Sequence, residues 1–259
     1  MTLHPQAAAT RHELPSPGAP MRRVAAASLV GTSIEYYDFF IYGTAAALVF
    51  GPLFFPALGP AASTVAAFAT FGVAFFFRPL GAIVFGHMGD RFGRKRTLIY
   101  TLTIMGLSTF AIGVMPTAST IGAAAPIALV VLRALQGIAV GGEWAGAALL
   151  TAEHAPRQHR GFYGGFPQLG PGIAMAMSSA TFLVADVTLT PEQFIAWGWR
   201  IPFLVSILML AVGMYIRLKV EETPVFREST GRGELVRFPF VEAIRHEWRN
   251  MLLAGGALT

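Results

Sequence analysis

Apolar residues come in six long blocks along the chain, at about 23–50, 62–85, 97–115, 121–150, 161–185 and 198–219, with polar or helix-breaking stretches between them. A helical membrane span needs roughly 20 residues, since a helix rises about 1.5 Å per residue across a hydrocarbon core about 30 Å thick. Within each block the apolar residues run continuously rather than alternating, and the blocks are too long for barrel strands. Lipid offers backbone groups no hydrogen-bond partners, so each block is predicted to be an unbroken helix. The fourth is long for a span, and tilt or extension past the hydrocarbon takes up the excess. The breaks fall at Gly51-Pro52 and Gly59-Pro60, the charged stretch 86–96, Met115-Pro116, 156–160 and 186–197. The predicted fold class is an all-α membrane protein, a six-transmembrane-helix bundle over residues 21–219.

The flanks read differently. Residues 1–20 carry Pro5, Pro15, Pro17 and Pro20 without periodicity and are expected to be a disordered cytoplasmic N-terminus. Arg22-Arg23 before an apolar run resembles a signal-peptide start, but Glu35 and Asp38 follow where a cleavage site would lie, so the block is read as a retained helix. Residues 220–249 are a charged cytoplasmic linker with acids and bases nearly balanced. Within it Phe240, Val241, Ile244 and Trp248 fit either an amphipathic surface helix or an ordinary solvated one. Residues 250–259 read as the start of a truncated seventh helix, so the chain is expected to be a fragment.

Charge sets the expected orientation. The N-terminal segment, 86–96 and 151–160 carry an excess of Lys and Arg, whereas 51–61 and 116–120 are nearly uncharged and 186–197 is acidic. By the positive-inside rule both termini and the even-numbered loops are cytoplasmic. Over the whole chain Lys+Arg 19 against Asp+Glu 14 gives +5, with 54% hydrophobic and 13% charged residues. The basic residues are scattered between apolar blocks, which gives a nucleic-acid partner no support. There is no cysteine, the histidines show no metal-ligand spacing, and no HExxH, GxSxG or phosphate loop occurs. Neither an enzyme nor a bound cofactor is expected.

Ionisable residues inside spans are costly and mark cavities or partners. Glu35 and Asp38 share one side of the first span, and antiparallel counting puts Arg133 of the fourth at similar mid-depth. Asp38 or Glu35 is expected to pair with Arg133. One reading makes the pair a coupling element, opened by protonation or by an anionic substrate; the other makes it a permanent structural ion pair. Two carboxylates facing one arginine leave one acid without a cation, which suits a proton carrier. Tyr36, Tyr37, Tyr42 and Gln136 would add hydrogen-bonding walls, or the tyrosines would be interfacial anchors. Glu143, in GGEWAG, is expected to serve packing or gating rather than substrate contact. Arg78 reads as a snorkelling anchor. In the 86–96 stretch, glycines permit a tight turn and Asp90 can accept bonds from helix-start N–H groups or arginines.

GHMGDRFGRKR (86–96) resembles the loop between the second and third helices of the major facilitator superfamily. LRALQGIAVGGEWAG (132–146) resembles its fourth-helix motif, with Arg133 and Gly137 at the matching places. GTSIEYYDFFIYG, HRGFYGG, WGWRIPF and EETPVF narrow the resemblance to the metabolite:proton symporter family, near its shikimate-like and dicarboxylate-like branches. The resemblance implies the N-terminal half of a twelve-helix fold in the bacterial cytoplasmic membrane. Its implied partners are a small metabolite, a proton, the lipid bilayer and a missing C-terminal six-helix half. It implies symport of an organic carboxylate such as shikimate or a dicarboxylate, with a betaine or proline symporter, or a non-transporting fragment, as alternatives. Glu35, Asp38, Arg133, Tyr42 and Gln136 would be the substrate and proton-coupling residues. Gly86, Asp90, Arg91, Gly93, Arg94, Lys95 and Glu143 would belong to the cytoplasmic gate.

Overall fold

The computed structural model describes residues 21–155 and 157–219 of the 259. Six long helices organise them: α1 (Met21–Ala45), α2 (Pro60–Phe92), α3 (Arg94–Val114), α4 (Ala124–His154), α5 (Phe166–Thr188) and α6 (Ile201–Lys219). Each contributes a segment long and apolar enough to cross a membrane, the first reaching Phe54 through a π-helical stretch, Ala46–Phe50, and a further turn, Gly51–Phe54. Short helical turns connect the rest, among them Pro191–Ala196, whose N-terminus is closed by a Thr190/Gln193 capping box.

The surface is apolar where a soluble protein's would be polar. Phe76 is 85% exposed, and Val65, Val187 and Leu208 are similarly bare. Meanwhile Asp38, Arg133, Gln136 and Glu143 are buried. This inside-out distribution suits a bundle whose solvent is lipid.

Helix contact is closest between α2 and α4, where small residues remove the side chains that would hold the backbones apart. A Cβ at Gly141 would lie 2.1 Å from the Arg78 carbonyl oxygen, and one at Gly137 would lie 2.3 Å from that of Ala74. At one end of the bundle aromatic rings pack edge to face, with Trp199 5.7 Å from Phe50 and 6.0 Å from Phe54 between centroids.

The predicted turn at 86–96 is almost entirely helical. α2 runs through Phe92 and α3 begins at Arg94, leaving a single residue between them. Gly93 makes that hinge at φ 102°, a conformation closed to residues with a Cβ, while its N–H still closes α2 onto Gly89. α4 likewise outruns its predicted end at 150 and reaches His154. The expected disordered N-terminus, charged linker with its amphipathic helix, and seventh-helix start lie outside the described residues.

Candidate functional site

Glu35, Asp38 and Tyr42 recur at helical spacing on α1 and point inward, each at most 5% exposed. Across from them α4 presents Arg133 and Gln136, one turn apart and equally buried. The direct ion pair predicted from sequence is not formed. A relay takes its place: Thr109 Oγ1, on α3, donates to Asp38 Oδ2 at 2.6 Å, and Gln136 Nε2 donates to Thr109 Oγ1 at 2.7 Å. Gln136 Oε1 in turn accepts from Arg133 Nη1 at 3.1 Å. Two neutral side chains thus stand between the acid and the guanidinium.

Aromatic faces hold the cation in place. The Arg133 guanidinium lies 4.1 Å from the Tyr42 ring centroid, 5.0 Å from Phe71 and 5.8 Å from Phe39, a geometry that favours a desolvated cation. Tyr42 Oη is 2.6 Å from Thr70 Oγ1, which fixes the ring. The relay is nonetheless incompletely satisfied: Asp38 Oδ1 and Arg133 Nε and Nη2 are buried without hydrogen-bond partners among the described residues. The space among Asp38, Arg133 and Gln136 is about 10 Å³, too little for more than about one water.

Glu35 joins no hydrogen bond or ion pair among the described residues, although it is 5% exposed. It faces a neighbouring cleft of about 460 Å³ together with Arg78. Arg78, read from the sequence as a snorkelling anchor, is half-buried; its guanidinium lies 4.6 Å from the Phe75 ring centroid, and its Nε has no hydrogen-bond partner among the described residues. Tyr37, predicted as a wall or an anchor, is buried and donates to the Pro202 carbonyl at 3.0 Å.

Glu143, on the same helix as Arg133, belongs to a separate cluster. Its Oε1 bonds Arg217 Nη2, and Arg217 Nη1 also donates to the Leu98 carbonyl, tying α4, α6 and α3 together. Arg217 stands in sequence at the edge of the charged linker, yet it is a buried residue of α6. Among the other gate residues, Gly86 and Asp90 are half-buried near the end of α2, and Arg91 is exposed with its guanidinium 5.5 Å from the Phe92 ring. Arg94 opens α3, and Lys95 Nζ donates to the Leu218 carbonyl at 2.8 Å. Sequence reasoning missed Thr109, since a threonine in an apolar helix usually bonds its own backbone and carries no sign of a tertiary role.

The comparisons with known proteins agree with the six-helix fold. The family profile described as "Sugar (and other) transporter" matches residues 24–237. The chain belongs to the sugar (and other) transporter family. It is 49% identical over 228 residues to the shikimate transporter of Escherichia coli K12, covering 87% of this chain and 52% of that protein. It is 36% identical over 245 residues to the proline/betaine transporter of the same organism, covering 91% of this chain and 49% of that protein. Among solved structures, the proton:xylose symporter XylE of E. coli matches with TM-score 0.72 at 18% identity, over 83% of this chain and 48% of that one. The six helices have the fold of the first half of a major facilitator protein, and the chain spans about half the length of the curated relatives it matches.

Proposed function

We propose that this bundle forms half of a proton-coupled symporter for a small polar metabolite, an organic carboxylate such as shikimate or a dicarboxylate, in the bacterial cytoplasmic membrane. The observation that carries the reading is the position of Thr109 between Asp38 and the arginine side. A threonine hydroxyl holds one proton and two lone pairs. Thr109 Oγ1 has two acceptors in reach, Asp38 Oδ2 at 2.6 Å and the Met105 carbonyl at 3.0 Å, and it accepts from Gln136.

With Asp38 ionised, the hydroxyl donates to the carboxylate. With Asp38 protonated, the carboxylic acid donates to Thr109, whose own proton turns to the Met105 carbonyl, and Gln136 keeps its bond throughout. The acid thus changes charge without orphaning a polar group in the apolar interior, where such loss costs about 1–3 kcal/mol. Loss of the negative charge also weakens the hold on Arg133 and changes the charge balance it shares with Glu35 and Arg78, which line the neighbouring cleft. A proton and a solute then act on one connected structure, which is what symport requires.

The excess of positive charge near the α2–α3 hinge supports a cytoplasmic position for that end and for the N-terminus in this reading. Gly86, Asp90, Arg91, Gly93, Arg94, Lys95 and Glu143 belong to the inner gate in this reading. Because the sequence has no cysteine, a single cysteine at exposed Arg91 should react with an impermeant maleimide only after the inner face is opened. Labelling from outside intact cells would reverse the orientation.

The similarity to a proline/betaine transporter favours a second reading, a zwitterion symporter. Uptake of labelled shikimate, 2-oxoglutarate and glycine betaine into proteoliposomes bearing the full-length protein separates the two. The carboxylate reading expects shikimate or 2-oxoglutarate to accumulate only with an inward proton gradient. Gradient-independent entry, or entry of betaine alone, refutes it.

A further inference from the structure

Beside the relay, the cleft of about 460 Å³ opens between α1, α2 and α4, walled by Glu35, Tyr36, Phe75, Arg78, Pro79 and Gly141. Pockets of about 300–1,000 Å³ accept small metabolites, whereas the space inside the relay does not. Its polar groups are few and opposed. On one side Arg78 rests against Phe75, 4.6 Å from the ring centroid, with Phe39 at 5.9 Å and no acid bound to it among the described residues. On the other is Glu35, 95% buried by its 5% exposure and without a hydrogen-bond partner among the described residues. An arginine stacked on an aromatic ring keeps the edge of its fork for a planar anion.

Charge counting says what must accompany that anion. Glu143 and Arg217 neutralise each other directly. Around the relay and the cleft, the formal charges of Glu35 and Asp38 balance those of Arg78 and Arg133, all four lining one small space. A monocarboxylate entering the cleft leaves one negative charge in excess in an apolar interior, and a proton taken up with it restores the balance. Asp38 already has its hydroxyl donor in Thr109; Glu35 has none among the described residues and shares the cleft with Arg78.

We infer that Arg78 receives the carboxylate of the transported solute and that Glu35, across the same cleft, takes up a proton as the solute arrives. The inference rests on the symport reading and adds the anion subsite to it. The charged groups acting on Glu35 are Asp38 on its own helix, Arg78 on α2, Glu143 on α4 and Arg217 on α6. Of these, Arg78 shares the cleft with it. A zwitterion would bring its own cation for Glu35 and would need no proton there.

The test uses the full-length protein in nanodiscs, with shikimate and its neutral methyl ester as paired probes and a pH-indicator dye to follow proton uptake on binding. Wild type should bind the ester at least about tenfold more weakly than the acid, the equivalent of one charge-assisted hydrogen bond. Arg78→Gln should erase that difference, and Glu35→Gln should bind shikimate without the proton uptake seen in wild type. Should Arg78→Gln not fold, Arg78→Lys serves the same comparison, with the acid–ester difference reduced because an ammonium lacks the guanidinium fork. An acid–ester difference unchanged in a folded Arg78 variant, or proton uptake unchanged in Glu35→Gln, overturns the assignment. So does binding of glycine betaine that Glu35→Gln abolishes, since that outcome requires an ionised Glu35. If wild-type proteoliposomes accumulate no carboxylate under a proton gradient, the symport reading falls and this inference with it. Gradient-driven uptake with no effect of Arg78 or Glu35 removes this inference alone.

Discussion

α4 brings two buried charges into the bundle about three turns apart, and they meet their opposites in contrasting ways. Glu143 is bonded directly to Arg217, which also takes the Leu98 carbonyl. The surroundings leave no slack, for a Cβ at Gly31 would lie 2.7 Å from Arg217 Nη2. Arg133 reaches Asp38 only through Gln136 and Thr109; each cluster keeps a carboxylate oxygen without a hydrogen-bond partner among the described residues, Asp38 Oδ1 in one and Glu143 Oε2 in the other. A direct pair has one good state. A hydroxyl placed between acid and base admits two, because it can redirect its proton while every heavy atom stays in place. Composition alone does not separate the two clusters, since each has an acid, an arginine and at least one backbone carbonyl. The difference lies in what stands between the charges.

Breaking the closed cluster should have the largest effect on stability. Arg217→Ala leaves the Glu143 charge buried without its partner, and such losses cost about 3–5 kcal/mol. The Tm in detergent should fall steeply, and Glu143→Met combined with Arg217→Leu should recover most of the loss, since a packed apolar pair has no stranded charge. A single variant that melts within a degree or two of wild type would show that the cluster is not closed at all.

The relay should respond more in coupling than in stability. Thr109→Val keeps the side chain's shape but removes the hydroxyl that serves both charge states of Asp38, at a cost of about 1–3 kcal/mol. Accumulation driven by a proton gradient should disappear, while exchange of labelled for unlabelled solute continues. Thr109→Ser, which restores the hydroxyl, should restore accumulation. If Thr109→Val still accumulates solute against a gradient, the hydroxyl is not part of the coupling path.

How much of this contrast could be read from the chain follows from what each residue looks like in isolation. Asp38, Glu35 and Arg133 announce themselves because charge inside an apolar run is costly wherever it points. Gln136 stands out for the same reason, more weakly. Thr109 does not, because hydroxyls are common in membrane helices and satisfy themselves on the preceding turn, as Thr103 does on Ile99 at 2.7 Å. Arg217 is hidden by its neighbours: it stands where the apolar run gives way to Lys219, Glu221 and Glu222, and nothing local says that α6 buries it. Arg78 is legible as a charge near a span's end, but its direction depends on how α2 packs against α1 and α4. The hinge at Gly93 is legible as a turn and proves tighter than the glycine-rich string suggests, since only one glycine is needed.

Between the two clusters in consequence lies the α2–α3 end of the bundle, where Lys95 Nζ bonds the Leu218 carbonyl at 2.8 Å in an exposed setting. Lys95→Ala should lower stability by no more than about 1 kcal/mol, because a solvent-screened interaction of a long side chain gains little. Its Tm shift should be well below that of Arg217→Ala although both residues bond backbone carbonyls across α3 and α6. A comparable shift would mean that burial is not what distinguishes the closed cluster.

The smallest effect expected is also the sharpest probe of how Arg133 is held. Tyr42 gives it a ring face at 4.1 Å and uses its hydroxyl elsewhere: Thr70 donates its own proton to the Ala67 carbonyl at 2.6 Å, so Tyr42 donates to Thr70. Tyr42→Phe removes that one bond and keeps the ring. Interhelical hydrogen bonds in membrane proteins average about 0.6 kcal/mol, so Tm and coupled uptake should both stay near wild type. Tyr42→Leu removes the ring as well, and with it a cation–π attraction worth about 2 kcal/mol when desolvated. Coupled uptake should therefore fall with Leu and not with Phe. If Phe impairs uptake as much as Leu does, the Tyr42 hydroxyl, rather than its ring, is what orders the arginine, and the relay must be redrawn to run through Thr70 and α2.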